Sequence, residues 1–277
     1  MQIRYGFNIE ITVPQRTTVI TKMDVANERL DDLVWEKPLS LSPAAPMELW
    51  TDCFDNRCRR IEAEAGKLSL SLEGLIFDDG GADPIDRNAE LVAPAALPVE
   101  TMQYLAGSRY CETELLTGFA WQTFGHLSTG WGRVQAVCDF VHSHLTFSYP
   151  LARETRTALE AFNERSGVCR DFTHLAITLC RCLNIPARYC NGYLGDIGVR
   201  PDPAPMDFNA WFEAYIGNRW YVFDARHNAP RVGRITLARG RDAMDIPMIQ
   251  TFGPHLLGRF EVITEEVDDG GFAMAAE

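Results

Sequence analysis

The sequence predicts an α+β fold in which an N-terminal antiparallel β module precedes a core of helices packed on an antiparallel sheet. In the first part of the chain apolar and polar residues alternate, which is typical of strands with one buried face. After about residue 115 the spacing of apolar residues changes to three and four, which is typical of amphipathic helices. The 277 residues are enough to bury a sizeable core.

The N-terminal β module is predicted to span residues 1–80. Apolar residues occupy every odd position from Ile3 to Val13, and Leu68, Leu70 and Leu72 alternate with polar residues, so both segments are predicted strands. The pair Asp55-Asn56 favours a turn between such runs. A stretch rich in Asp, Gly, Pro and Ala follows, and residues 81–114 are therefore predicted as a linker.

Residues 115–277 are predicted to form the core. Apolar residues recur with helical spacing from Trp131 to Leu145 and again from Phe172 to Leu183, and Ser166-Gly167 separates the second helix from a short helix at 157–164. Three strands are predicted after these helices, at 187–194, 208–216 and 220–223, with a hairpin turn at Gly217-Asn218.

Charge and cysteine usage exclude several classes of function. The formal net charge is -12, which disfavours nucleic acid and anionic membrane surfaces as partners. No apolar run is long enough for a membrane span and no secretory signal is visible, so we expect a cytoplasmic protein. Eight cysteines in a chain of this length are then predicted to be reduced thiols. Their spacing lacks a zinc pattern, and we predict neither a metal nor an organic cofactor.

Cys169 is the cysteine with the most reactive sequence context. It follows Ser166-Gly167-Val168 and opens a predicted helix. Free N–H groups and partial positive charge gather at a helix N-terminus, and both favour a thiolate, which is the nucleophilic form of cysteine. The alternative is a buried structural cysteine, which we assign to Cys138, Cys180, Cys182 and Cys190.

Two segments around Cys169 carry a family resemblance. The runs GVCRDFTHLAITLCRCLNIPARYCNGYLGD and DFNAWFEAYIGNRWYVFDARHN closely resemble the papain-like core of bacterial transglutaminase-like proteins. In that family a Cys opens a helix, a His begins a strand in an H-A-W context, and an Asp ends the next strand after Phe. The Cys matches Cys169 and the Asp matches Asp224, whereas the His position holds Asn209. The N-terminal half resembles the β region that often precedes this core.

The resemblance implies amide chemistry through a thioester on Cys169, with a peptide or protein amide as substrate. Water as acceptor gives hydrolysis, which we favour, and an amine gives transamidation. An imidazole would exchange protons with the thiol and the leaving amine, but the amide of Asn209 does not titrate and can only hydrogen-bond, for example to Asp224. The chain is therefore predicted to be inactive or severely impaired, whether Asn209 is natural or engineered. The alternative is a natural pseudoenzyme that acts as a peptide-binding module; nothing in the sequence indicates the oligomeric state.

Three further residues are weighed for roles near the site. His174 lies five positions after Cys169 on the same predicted helix and points about 140° away from it, so we expect a packed or hydrogen-bonded histidine. His227 is expected to anchor the loop after Asp224, with contact to the site as the alternative. Tyr149 is a candidate for holding an oxyanion together with the Cys169 N–H group.

Overall fold

A computed structural model describes residues 1–267 and confirms a mixed fold of helices and antiparallel sheets. The helices are α1 (Thr113–Phe124), α2 (Gly130–His144), α3 (Ala158–Glu164) and α4 (Cys169–Cys182), and short 3-10 turns lie at Asn27–Asp32, Pro94–Ala96, Val99–Tyr104 and Tyr149–Leu151. The strands are β1 (Gln2–Val13), β2 (Thr17–Thr21), β3 (Leu33–Glu36), β4 (Ser40–Ser42), β5 (Met47–Thr51), β6 (Arg57–Ala63), β7 (Gly66–Phe77), β8 (Thr146–Phe147), β9 (Ser166–Gly167), β10 (Ala187–Leu194), β11 (Asn209–Ile216), β12 (Arg219–Phe223), β13 (Arg234–Gly240), β14 (Ile249–Thr251) and β15 (Leu256–Val267).

Two sheets build most of the N-terminal part of the molecule. Within residues 1–267, one sheet has the order β15-β1-β7-β3 with β4 also paired to β7, and the other has the order β14-β2-β6-β5. The predicted strands at β1 and β7 are confirmed, and the odd-numbered apolar residues of β1 are buried because they face the interior of the sheets. The strand β15 lies in the segment predicted as core, yet it pairs with β1 along most of its length.

The core sheet has the order β12-β11-β10-β13, with every neighbouring pair antiparallel. The predicted strands at β10, β11 and β12 are confirmed, and β11 and β12 are joined by the predicted turn. Gly217 and Asn218 both have positive φ values, 55° and 62°, as a tight hairpin of primed type requires.

Threonine side chains cap the N-termini of α2 and α3. Thr157 accepts from the Glu160 N–H at 3.3 Å and the Glu160 carboxylate accepts from the Thr157 N–H at 2.9 Å, which closes a capping box at the start of α3. Thr129 caps α2 by accepting from the Gly132 N–H. The predicted helices at α2, α3 and α4 are confirmed, whereas α1 was not predicted.

Two hydrophobic clusters lie on either side of the core sheet. One joins the helices to residues such as Tyr189, Ala210 and Phe212. The other joins the inner faces of β1 and β7 to Tyr193 and Ile235 of the same sheet and to Phe208, which directly precedes β11. The core sheet is therefore covered by helices on one face and by the N-terminal strands on the other. The division into residues 1–80, 81–114 and 115–277 stays a prediction.

Candidate functional site

Cys169 is the first residue of α4, as predicted; the residue as a whole is partly exposed, whereas its thiol group is buried. The chain enters the helix tightly: a Cβ on Gly167 would lie only 2.5 Å from the Cβ of Asp171. The Val168 N–H donates to the Asp171 carboxylate at 3.0 Å, and Arg156 pairs with that carboxylate at 3.0 Å. Glycine is thus required at 167 because the buried Asp171 side chain packs against the backbone just before Cys169.

The electrostatic surroundings of Cys169 leave it as a thiol near neutrality. Burial raises the pKa of the Cys169 thiol to about 11, although the charge of Arg226 and the backbone N–H groups of Ala210 and Arg170 act in the opposite direction. The carboxylate of Asp207 adds to the increase. A group with this pKa has almost no thiolate at neutral pH, so the helix terminus does not by itself make a reactive nucleophile.

Asn209 is the first residue of β11 and lies opposite Gly192 of β10. Its amide nitrogen donates to the carbonyl oxygens of Asp207 at 3.2 Å and Leu194 at 3.5 Å, and its amide oxygen accepts from Arg226 Nη1 at 3.0 Å. The suggested hydrogen bond to Asp224 is not among these contacts. The amide is occupied by the backbone and by a guanidinium instead.

The carboxylate of Asp224 is buried and occupied on both oxygens. Oδ1 accepts from the backbone N–H groups of Arg226 and His227, each at 3.0 Å, and Oδ2 lies 2.8 Å from His227 Nδ1 and 3.0 Å from Arg234 Nη2. Because a carboxylate only accepts, Nδ1 of His227 carries the proton. Burial raises the pKa of Asp224, but the charge of Arg234 and the contacts with His227 outweigh it and hold the pKa well below its usual range.

The two histidines considered for the site, His174 and His227, lie in different surroundings. His174 is fully buried, its Nε2 accepts from the Ala243 N–H at 3.1 Å, and its ring stacks on Tyr110 with centroids 5.0 Å apart. The expectation of a packed histidine is confirmed. His227 both anchors the loop after Asp224 and lines a small polar pocket beside Asn209, so the two roles weighed for it coincide.

Two cavities flank these residues. The small polar one is lined by Asn209, Arg226 and His227, together with Tyr149 and Asp207. Burial and the charge of Asp207 raise the pKa of the Tyr149 hydroxyl, which keeps it a neutral hydrogen-bonding group. The larger cavity, of about 520 Å³, is lined by Asp224 and by apolar residues such as Trp131, Phe223 and Pro230. Cys169 is not among the residues that line either cavity.

No three His, Cys, Asp or Glu side chains of residues 1–267 gather as metal ligands, and the cofactor-free site stays a prediction. All eight cysteines are unpaired. No helix among residues 1–267 combines the length and apolar character that a membrane crossing needs.

Arg226 and Arg234 are the residues of this site that the sequence did not predict. Arg226 follows Asp224 by two positions and reaches Asn209, whereas Arg234 comes from β13 and pairs with Asp224 and Asp83. Arginine in a strand or loop has no distinctive spacing. Only its closeness to Asp224 in the sequence could have identified Arg226 as a residue of the site.

Comparison with known proteins bears on the fold of this part of the chain. The family model of the Transglutaminase-like superfamily matches residues 119–225, a range that includes Cys169, Asn209 and Asp224. A crystal structure of a proposed cysteine protease from Cytophaga hutchinsonii superposes with a TM-score of 0.83 at 28% identity, covering 99% of this chain and 94% of that one.

Two further relatives are more distant. The periplasmic domain of TgpA from Pseudomonas aeruginosa has a TM-score of 0.39 at 14% identity, with 81% of this chain and 90% of that chain covered. An uncharacterized protein of Mycobacterium leprae is 31% identical over 93 residues, which is 32% of this chain and about a third (33%) of that protein. Residues 119–225, which include the helix that Cys169 opens, therefore match a domain of the transglutaminase-like superfamily.

Proposed function

We propose that this chain is a cysteine-nucleophile scaffold for amide or peptide bond chemistry, with Cys169 as the acylated residue, and that it is inactive or severely impaired as it stands. The observation that carries the proposal is the pairing of Asn209. Cys169 opens α4 as in a cysteine hydrolase, but the side chain at 209 is an amide hydrogen-bonded to Arg226 and lacks a titratable nitrogen.

The proposed reaction forms a thioester and then consumes it. The Cys169 sulfur attacks the amide carbonyl, an S–C bond forms, the C–N bond breaks, and the amine leaves with a proton. Water then attacks the thioester, which releases the acid and returns the thiol; an amine acceptor in place of water gives transamidation. Peptide or protein amides are the proposed substrates, supported by the likeness to the Cytophaga hutchinsonii protein.

The impairment follows from proton transfer. The thiol has to lose a proton before it attacks, and burial raises its pKa to about 11. The departing amine has to gain one, and neither Asn209 nor the charged Arg226 can supply it near neutrality. In the proposed scaffold Asp224 would orient an imidazole at position 209, a role that Asn209 leaves empty.

Turnover of the chain and of Asn209→His on peptide and amide substrates tests the proposal. Because general acid–base catalysis contributes about 10²–10⁴-fold, Asn209→His should raise turnover by about that factor. Cys169→Ala in the Asn209→His background should abolish the gain. Equal turnover by the chain and the Asn209→His variant would show that another group supplies the proton.

The occupation of Asp224 favours a second candidate, a pseudoenzyme that binds peptides without cutting them. Both carboxylate oxygens are engaged by Arg226, His227 and Arg234, so Asp224 is held in place without an imidazole at position 209. Peptide binding measured by calorimetry for the chain and for Cys169→Ala distinguishes the two candidates. Binding that Asn209→His does not convert into turnover supports this second function.

A further inference from the structure

Arg226 lies on a loop that Asp224 holds in place. The N–H groups of Arg226 and His227 donate to the Asp224 carboxylate at 3.0 Å, and the Asn228 N–H donates to the Asp224 carbonyl oxygen at 2.8 Å. These three bonds fix the backbone from which the Arg226 side chain projects. The direction of that side chain is therefore set by the same carboxylate that lies at the end of β12.

The guanidinium of Arg226 is held on two sides. Nη1 donates to Asn209 Oδ1 at 3.0 Å, and the carbon Cζ lies 4.0 Å from the centroid of the Phe147 ring. Phe147 pairs with Gly167, two residues before Cys169, in the short parallel ladder of β8 and β9. The positive charge therefore lies beside Asn209, the first residue of β11, and over Phe147, whose strand pairs with the segment that leads into α4.

From this placement we infer that Arg226 is the fixed cation of the site, which pairs with Cys169 in its thiolate form, and that Asn209 is the residue that positions it. The inference rests on the proposed function only in taking Cys169 as the reactive thiol. A guanidinium is charged at all accessible pH values and does not accept a proton. Arg226 therefore stabilises negative charge on the sulfur, while the thiol proton itself passes to water.

Other charged and titratable groups also face Cys169, and they set how strongly Arg226 can stabilise the thiolate. Asp207, which precedes β11, opposes Arg226, while burial keeps Tyr149 and Tyr189 uncharged. The Arg170 side chain on α4 is directed to the carbonyl oxygens of residues 153 and 154. The charge of Arg226 lowers the pKa of Cys169 more than the nearby backbone N–H groups do.

This arrangement gives Asn209 a function of its own. An imidazole at 209 would be positive only when protonated, whereas the amide oxygen of Asn209 accepts from a group that is always positive. The site as built therefore retains the charge of a thiolate–imidazolium pair and lacks its proton exchange. A thiol-reactivity experiment separates these two properties, because alkylation depends on the thiolate and needs no leaving-group proton.

The experiment measures carboxamidomethylation of Cys169 by iodoacetamide in the full chain, resolved by peptide mass spectrometry across a pH series. Arg226→Gln should raise the thiol pKa by about one unit or more, the effect expected for loss of a nearby opposite charge. At a fixed pH below the midpoint, the rate constant should therefore be about threefold lower for each unit by which the thiol pKa rises, because a less acidic thiolate is also a better nucleophile. Arg226→Lys should keep most of the parent profile, and Asn209→Ala should shift it partway towards Arg226→Gln.

Cys53, which is exposed, serves as the internal control, and its profile should be the same in all variants. An unchanged Cys169 profile in folded Arg226→Gln overturns the inference. If circular dichroism shows that this variant is unfolded, Asn209→Ala decides, and an unshifted profile there overturns it equally. Shifted profiles without amide turnover in Asn209→His would leave the charge pairing standing and refute the proposed function alone.

Discussion

Asp224 and Arg234 form an ion pair of 3.0 Å in which the two side chains are only 2% and 7% exposed. Nε of Arg234 also contacts Asp83, which lies in the segment between the N-terminal strands and the helices. The carboxylate expected to serve the site is therefore also part of the scaffold that joins three segments of the chain. This double role determines what its substitution does.

Replacing Asp224 by Asn should destabilise the fold as well as the site. The change leaves Arg234 buried with one carboxylate partner fewer, and breaking a buried ion pair costs about 3–5 kcal/mol. Urea unfolding measures the free energy of unfolding. Glu64→Gln is the matched control, because its pair with Arg16 is 3.7 Å long and solvent-exposed, and it should change stability by less than about 0.5 kcal/mol.

The unfolding free energy measured at decreasing acid pH (the acid limb) provides a second readout. The pKa of Asp224 is lower in the folded chain than the value of about 3.9 in the unfolded chain, so its contribution is present above that value. This contribution to the free energy of unfolding is lost as the pH falls towards the folded pKa, and Asp224→Asn should lose less stability over that pH range. Equal unfolding free energies and equal acid limbs for the two proteins would contradict both expectations.

His174→Gln should remove an acid sensitivity at a higher pH. Burial, together with the charges of Arg170 and Arg181, lowers the pKa of His174 well below its usual value. Unfolding therefore takes up about one proton at this residue once the pH falls below about 6.5, and stability decreases with falling pH there. Unfolding free energies measured on both sides of that pH should show a smaller slope in the variant. His255→Gln, at an exposed histidine, should leave the slope unchanged.

The reactivity of Cys169 should depend steeply on pH in the chain as written. With a pKa of about 11, alkylation by iodoacetamide should speed up about tenfold per pH unit through the neutral range, without a plateau. Asn209→His should introduce a plateau at lower pH, because an imidazolium pairs with the thiolate. Peptide mass spectrometry of the Cys169 adduct measures this. A plateau below neutral pH in the unmodified chain would refute the raised pKa.

Gly192→Ala should disturb the strand opposite Asn209. An added Cβ would lie 2.1 Å from the Ile235 carbonyl oxygen and 2.8 Å from the Trp211 ring, so the core sheet would have to open. Such overpacking costs about 1–3 kcal/mol. Thermal unfolding checks it against Gly118→Ala in α1, where an added Cβ meets nothing within 4 Å and should stabilise by about 0.5–1 kcal/mol. A Gly192→Ala protein as stable as the parent would show that the strands can move apart without loss of stability.

Several elements follow from local periodicity. Alternation predicted β1 because its inward side chains are spaced by two, and the three-and-four spacing predicted α2 and α4 because one face of each helix is buried. The strand β15 was not predicted, and its partner β1 lies far from it in the sequence. Pairing between the two ends of a chain depends on which surfaces meet, and short-range patterns carry no record of that.

The sequence by itself determined that Cys169 opens a helix after a glycine, that Asp224 directly follows a strand, and that position 209 lacks an imidazole. These are properties of neighbouring residues. Only the tertiary structure decided that the amide of Asn209 accepts from Arg226, and that Asp224 is held by Arg234 from another strand. The physical reason is that a guanidinium on a long side chain finds its partner by proximity in space and by burial, and neither is encoded in the spacing of residues along the chain.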